Sequence, residues 1–115
     1  MKNDASRKEL AEQYKNRKKV GGVYAVRNTQ KNRLLLESTV DLHGIRSRFD
    51  FAQKTNSCVD MKLQKDWSEQ NGDWFVLEVL EELEKGESQT DDGFKADIKL
   101  LRELWLEKLA GESLY

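Results

Sequence analysis

Residues 21–49 read GGVYAVRNTQKNRLLLESTVDLHGIRSRF, in which two apolar runs flank a polar loop. The runs VYAVR (23–27) and LLLES (34–38) are rich in the β-branched, aromatic and aliphatic side chains that favour strands. Between them lies NTQKN, in which Asn28 and Asn32 suit the left-handed backbone positions of a short loop. The stretch therefore predicts a β-hairpin.

Helices and a third strand are predicted after the hairpin. Apolar residues spaced by three or four indicate one helix over 41–53, a second from Ser57 and a third from Phe94. The run WFVLEVL (74–80) has Glu78 as its one charge, which predicts a strand covered on most of both faces. The apolar stripes are Leu42, Ile45 and Phe49 in the first helix, Val59, Leu63 and Trp67 in the second, and Phe94, Ile98, Leu101, Trp105 and Leu109 in the third.

A further helix is predicted ahead of the hairpin, over 6–19. It begins with the spacing of a capping box, and it carries many Lys and Arg side chains around a thin apolar stripe. The glycine pair at 21–22 is expected to end it. The predicted organisation is an N-terminal basic helix over 1–20 followed by one domain over 21–115. The expected fold class is α+β, with a three-stranded, largely antiparallel sheet flanked by helices.

The composition excludes several classes of protein. The chain has 115 residues, of which 36% are charged, and a formal net charge of -1. It shows neither an apolar run long enough to span a bilayer nor a signal peptide, so no membrane partner is expected. A single cysteine, Cys58, and a single histidine, His43, provide neither an internal disulfide nor a zinc site. A cytoplasmic location is the simplest expectation.

The near-neutral net charge is a sum of opposite halves. Residues 1–66 carry 15 basic and 8 acidic side chains, a net of +7, and residues 67–115 carry 5 basic and 13 acidic, a net of -8. A basic half can attract a phosphate backbone, and an acidic half can repel it or face another protein. The alternative is that the two halves interleave in space and neutralise each other.

The quoted hairpin segment resembles the opening of the GIY-YIG nuclease superfamily. That family carries a Gly-Ile-Tyr triad on one strand and a Tyr-Ile-Gly triad on the next, followed by a helix with an essential arginine. Here Gly22-Val23-Tyr24 matches the first triad, and the segments WFVLEVLEEL and LLRELWLEKL look like the family's third strand and final helix. The resemblance implies that Tyr24 is the family's first-strand tyrosine, which supports nucleophile activation or phosphate contact.

The remaining positions depart from the family pattern. Leu35, Leu36 and Glu37 stand where the second triad is expected, so the second phenol is absent. The essential arginine falls at Ile45 and a later polar position at Phe49, while Arg46 and Arg48 point to other faces of the helix. The family's metal-binding glutamate falls at Arg102, with Glu103 beside it on a different face. The resemblance with these changes implies a degenerate catalytic site.

The leading hypothesis is thus a catalytically silent GIY-YIG-like domain that acts as a nucleic-acid-binding or regulatory module, for example in transcription regulation. No cofactor is expected, and DNA or another nucleic acid is the expected partner of the basic half. The candidate nucleic-acid-binding residues are Arg17, Lys18, Lys19, Arg27, Lys31, Arg33, Arg46 and Arg48.

Two alternatives remain open. The first is a protein-interaction subunit, or a self-associating one, in which Ile45 and Phe49 form an exposed apolar patch; the competing interpretation places both in the core. The second is a Mg²⁺-dependent endonuclease with rearranged residues. It would use Tyr24, with Arg46 or Arg48 as the cation and Glu103 or Glu37 as the acid; Glu103 would be the metal ligand.

Overall fold

The hairpin forms as predicted, and its two strands pair antiparallel. The computed structural model describes residues 19–58, 60–70 and 72–115. Strand β1 (Val20–Asn28) pairs with β2 (Arg33–Thr39), with Tyr24 opposite Glu37. Asn32 has a left-handed backbone, with φ of 53°. Asn28 does not: it ends β1, and its side-chain oxygen accepts hydrogen bonds from the backbone N–H groups of residues 30 and 31.

The third strand completes the predicted sheet at the other side of β1. Strand β3 (Phe75–Glu84) pairs antiparallel with β1, which gives the order β2-β1-β3 and confirms the α+β class. The prediction that this strand is covered on most of both faces was wrong, since Phe75 is its one buried residue. The strand lies at the edge of the sheet, and Val76 is 40% exposed.

The glycine pair at 21–22 lies inside β1 and does not end a helix. Gly21 and Gly22 are both buried. A Cβ atom on Gly22 would run into the backbone oxygen of Glu81, and the register between β1 and β3 shifts just after it, between Val23 and Tyr24. The glycine is thus required by the close approach of two strands at a β-bulge. Of the helix predicted over 6–19, residues 6–18 lie outside the described part of the chain.

Three α-helices follow the predicted order with shifted boundaries. Helix α1 (Leu42–Thr55) begins after Asp41, whose carboxylate accepts a hydrogen bond from the Gly44 N–H. The helix expected from Ser57 begins later, as a 3₁₀ turn (Met61–Leu63) that leads into α2 (Gln64–Gln70). Helix α3 (Asp91–Lys108) begins three residues before Phe94, because the Thr90 hydroxyl accepts from the Gly93 N–H and caps the helix.

Two apolar clusters pack on opposite faces of the sheet. On one face Trp67 stacks on Phe75, with ring centroids 5.0 Å apart, and Phe49 meets Trp67 edge-on at 5.9 Å. Gly72 turns the chain beneath Trp67 with a left-handed φ of 71°, and a side chain there would collide with the indole ring. The first cluster contains Tyr24, Val26, Leu35, Leu42, Ile45, Phe49, Ala52, Leu63, Trp67 and Phe75, and the second contains Val23, Ala25, Leu34 and Leu36, against which Leu101 and Trp105 of α3 pack.

The outer edge of β2 is covered by the end of the chain. The Leu34 N–H donates to the Ser113 carbonyl at 3.0 Å, and the Tyr115 N–H donates to the Leu34 carbonyl at 2.9 Å. Two residues further along β2, the Arg102 guanidinium donates to the Leu36 carbonyl at 3.3 and 3.2 Å. Among the described residues, no helix is long and apolar enough to cross a membrane.

Candidate functional site

The candidate site is built around Tyr24 of β1 and Glu37 of β2, which lie opposite each other on adjacent strands. Tyr24 is 8% exposed and belongs to the apolar cluster beneath α1. Burial, reinforced by the negative charge of Glu37, raises the pKa of the Tyr24 phenol to about 12. The phenol is therefore neutral at physiological pH and lies largely out of reach of solvent.

Ile45 and Phe49 lie in the core beside Tyr24. They are 6% and 4% exposed and belong to the same apolar cluster as the phenol ring. Of the two interpretations offered by the sequence, burial in the core is the one that the structure bears out. The exposed apolar patch expected at these two residues by the protein-interaction alternative is absent.

Basic side chains surround Glu37 at the surface. Its carboxylate lies 3.7 Å from the Lys62 ammonium and 3.9 Å from the Arg102 guanidinium. Arg48 of α1 is close enough to Tyr24 for its positive charge to oppose part of the rise in the phenol pKa. We call Arg48, Lys62 and Arg102, together with Glu37, the Glu37 cluster. Glu37 is thus neighboured by two cations, and a third, Arg48, lies near Tyr24 on the adjacent strand.

Lys62 is the member of the Glu37 cluster that sequence reasoning missed. It is 25 positions away from Glu37, and no periodicity links the two. The local signal for its position is Asp60, whose carboxylate accepts a hydrogen bond from the Lys62 N–H at 2.8 Å and starts the 3₁₀ turn. Only the packing of this turn against the sheet brings the ammonium group to Glu37.

The Mg²⁺ ion that the family resemblance implies does not fit the residues present. Within 19–58, 60–70 and 72–115, no group of three or more His, Cys, Asp or Glu side chains is arranged to hold a metal ion. The position expected to supply the carboxylate is Arg102, whose guanidinium is bound to the Leu36 carbonyl. Glu103 is exposed on the next position of α3, about 100° around the helix from Arg102.

Arg46 and Arg48 lie on different flanks of α1. The two residues are two positions apart, so their side chains project about 200° apart around the helix. Arg48 lies near Tyr24, where its positive charge opposes part of the rise in the phenol pKa. Arg46 lines a groove on the opposite side, next to Phe75 of β3. The two arginines are both exposed, and only Arg48 belongs to the candidate site.

The other basic residues proposed from sequence, where the structure describes them, are paired with acidic or carbonyl groups. Arg17 and Lys18 lie outside the described residues. Arg33 donates to the Leu114 carbonyl at 3.2 Å and stacks over the Tyr115 ring at 4.3 Å. The ion pairs are Lys19 with Asp91 at 3.2 Å, Arg27 with Glu78 at 2.9 Å, and Lys31 with Asp66 at 2.7 Å and with Glu69 at 3.8 Å.

These pairs show that the two halves of the charge pattern partly interleave. Lys19, Arg27 and Lys31 from the basic half each meet a carboxylate from the acidic half, at Asp91, Glu78 and Glu69. The carboxylate beside each of these cations weakens the attraction of that cation for a phosphate backbone. The basic surface that remains in the described chain is therefore smaller than the sequence count indicates, and part of it lies at the Glu37 cluster.

Comparison with known proteins shows that the chain is similar to a solved structure. No protein-family model matches the chain, and no curated protein matches it. Among solved structures, the chain is similar to the catalytic domain of the homing endonuclease I-TevI, with a TM-score of 0.49 and 20% sequence identity. The similar region covers 77% of this chain and 87% of that one.

Proposed function

We propose that the chain is a catalytically silent GIY-YIG-like domain that binds nucleic acid through the Glu37 cluster. The observation that carries the proposal is the burial of Ile45 and Phe49, at 6% and 4% exposure, where the family resemblance places a charged catalytic face. Apolar side chains at these positions complete the core under α1. The position that the family resemblance assigns to the essential arginine is therefore occupied by a core side chain, which supports a domain without cleavage activity.

Hydrolysis of a phosphodiester needs several groups that act together. A cation must stabilise the charge that develops on the phosphate, and a base or a metal ion must activate water. The Tyr24 phenol has a pKa of about 12 and is 8% exposed. It is therefore protonated at physiological pH and does not act as a base towards water. Loss of one stabilising group typically lowers the rate by about 10²-fold or more. The altered positions together support a binding role without cleavage.

The Glu37 cluster is suited to contact with phosphates. Arg48 is exposed, and the Lys62 side chain is 59% exposed, so water-facing cations flank the end of the hairpin. Glu37 and the nearby Asp60 are two acids beside three bases, so the local sum of charges stays positive. No base-reading motif is seen in the sequence, and phosphate contacts carry no sequence information by themselves. We therefore expect weak sequence specificity and strong dependence on salt.

A cleavage assay tests the catalytic part of the proposal. Purified protein is incubated with Mg²⁺ or Mn²⁺ and with branched, single-stranded or duplex DNA. We expect no cleavage above that of the Tyr24→Phe variant. Metal-dependent nicking that Tyr24→Phe abolishes would instead support the rearranged endonuclease and refute the silent domain.

A binding assay tests the nucleic-acid part. The variant Arg48→Gln with Lys62→Gln removes two cations from the Glu37 cluster, and Lys95→Gln with Lys99→Gln removes two exposed cations from α3. We expect the first pair to weaken binding about tenfold and to reduce the slope of log affinity against log salt by about 1–2. The α3 pair serves as the matched control. Equal losses from both pairs, or no binding at low ionic strength, would refute the proposed surface.

A further inference from the structure

A groove of about 320 Å³ lies between α1 and the start of β3. Its floor is apolar and includes Phe75 and Leu77, and the flank of α1 supplies Arg46, Asp50 and Gln53. The groove is on the opposite side of α1 from Arg48. It is therefore separate from the Glu37 cluster, and no part of the proposed nucleic-acid surface uses it.

The strand beside the groove has backbone groups without partners. In an antiparallel pair, successive residues point their N–H and C=O groups alternately towards the partner strand and away from it. The Thr29 N–H donates to the Trp74 carbonyl, so the next residues that face β1 are Val76 and Glu78. Leu77 and Val79 then face outward, and within the described residues no hydrogen bond reaches their outward groups.

Phe75 is the outward-facing residue at which this edge is already closed. Its N–H donates to the Gly72 carbonyl at 3.2 Å, and its carbonyl accepts from the Gln53 side chain at 2.9 Å. The unpaired edge therefore begins at Leu77. A peptide in an extended conformation along this edge would form hydrogen bonds with the backbone groups of Leu77 and Val79. One of its side chains would then lie in the groove beside α1.

The charges around the groove favour a basic occupant. Asp50 and Asp73 line it and are both exposed, and Glu82 is exposed further along the same strand. Arg46 is a basic side chain that also lines the groove, and the two carboxylates that line it outweigh this one cation. Opposite charges across an interface fix the register of a bound segment and raise the association rate.

We propose that β3 and α1 together bind an extended peptide with basic side chains, which adds to the sheet as a fourth strand. The contacts that hold it are the outward backbone groups of Leu77 and Val79 and the carboxylates of Asp50 and Asp73. This adds a protein-binding activity to the proposed nucleic-acid binding, and each can exist without the other.

Hydrogen exchange with defined peptides tests the strand addition. The full chain is titrated with acetyl-Lys-Val-Thr-Val-Lys-amide, with its Glu-flanked counterpart, and with a version of the basic peptide that is N-methylated at alternate residues. We expect the basic peptide to slow exchange of the Leu77 and Val79 amides by at least about tenfold at saturation. The N-methylated peptide should give no such protection, because it cannot pair with a strand edge, and the acidic peptide should bind more weakly.

Charge variants test the assignment of the groove. Asp50→Asn with Asp73→Asn should weaken binding of the basic peptide by about three- to tenfold. The matched control is Glu107→Gln with Glu112→Gln, which changes the net charge equally at exposed positions of α3 and the C-terminal turn. Failure of all three peptides to protect Leu77 and Val79, or equal loss in both pairs of variants, would overturn the proposal.

Discussion

The two edges of the sheet differ in whether their outward backbone groups are hydrogen-bonded. At the β2 edge, Ser113 and Tyr115 pair with Leu34, and Arg102 binds the carbonyl of Leu36. At the β3 edge, the outward groups of Leu77 and Val79 have no partner within the described residues. An unpaired strand edge is a template for another chain. Within the described part of the chain, the fold thus closes one edge with Arg102, Ser113 and Tyr115 and leaves the other open.

The closure of the β2 edge depends on a polar network around Tyr115. Its hydroxyl donates to Asp66 at 2.6 Å and accepts from Asn28 at 3.0 Å. Asp66 also accepts from Lys31 at 2.7 Å. The network therefore joins the hairpin loop, α2 and the last residue of the chain, and these three elements are held together only in the folded state.

The largest expected effect on the free energy of unfolding comes from the buried start of β3, compared with the exposed residue that follows it. Phe75 is 1% exposed and lies between Trp67 and Tyr115, whereas the neighbouring Val76 is 40% exposed. Phe75→Ala should lower the free energy of unfolding by about 3–5 kcal/mol, and Val76→Ala by less than about 0.5 kcal/mol. Urea denaturation measures both values.

Should Phe75→Ala fail to fold, Phe75→Leu keeps much of the side-chain volume and should lose about 1–2 kcal/mol. Similar losses for Phe75→Leu and Val76→Ala would contradict the division of β3 into a buried start and an open edge.

The second-largest effect is expected from a substitution that opens the β2 edge. Tyr115→Ala removes the ring that contacts Phe75 and Arg33 and the hydroxyl bound to Asp66, and we expect a loss of about 2–3 kcal/mol. Exchange of the Leu34 amide, which donates to Ser113, should accelerate towards the rate of the Leu77 amide at the open edge. The exchange rate of Leu77 is the internal control. An unchanged Leu34 rate would show that the C-terminal residues do not protect this edge.

The smallest effect is a pH dependence of the same network. Hydrogen bonds from Lys31 and then Tyr115 hold the pKa of Asp66 below its ordinary value of 3.8. A lowered folded-state pKa stabilises the fold above the unfolded value, and this contribution disappears as the pH falls through the folded pKa. The free energy of unfolding should therefore decrease as the pH is lowered below 3.8, and less steeply in Asp66→Asn. Parallel pH profiles for the two proteins would argue against the network.

The dependence of stability on pH in the alkaline range provides a second measurement. Burial, together with the bond to Asp66, raises the pKa of Tyr115 to about 12, and burial raises that of Tyr24 to about 12. A raised folded-state pKa stabilises the fold below the unfolded value of 10.0, and the contribution is lost as the pH rises towards 12. Tyrosinate absorbance should show both phenols ionising late, and Tyr24→Phe should remove one of them.

Local sequence patterns were sufficient for the elements of this fold but gave incorrect ends. Runs of strand-favouring residues around a polar loop identified the hairpin, a nearly continuous apolar run identified β3, and the stripe from Phe94 identified α3. The boundaries moved because caps decide them: Thr90 starts α3 before its first apolar residue, and Asp60 delays the helix expected from Ser57. A cap depends on the backbone angles of one residue, which periodicity does not report.

The candidate site was predictable only in part. The sequence indicated that Ile45 and Phe49 share one side of a helix, and the structure adds that this side packs against Tyr24. The sequence counted Arg27 and Lys31 as free cations, whereas Glu78 and Asp66 bind them. Lys62 could not be found at all, because its approach to Glu37 depends on how the 3₁₀ turn docks.

The sequence by itself determined the α+β class, the hairpin and the apolar stripes of the helices, since these follow from residue types and spacing within single elements. Tertiary structure alone decided which charges are free, which edge of the sheet is closed and where the groove lies. Those properties depend on contacts between distant residues, such as Asp66 with Tyr115 and Gln53 with the carbonyl of Phe75. Such contacts form only when the helices dock on the sheet, because no local pattern brings their atoms within hydrogen-bonding distance.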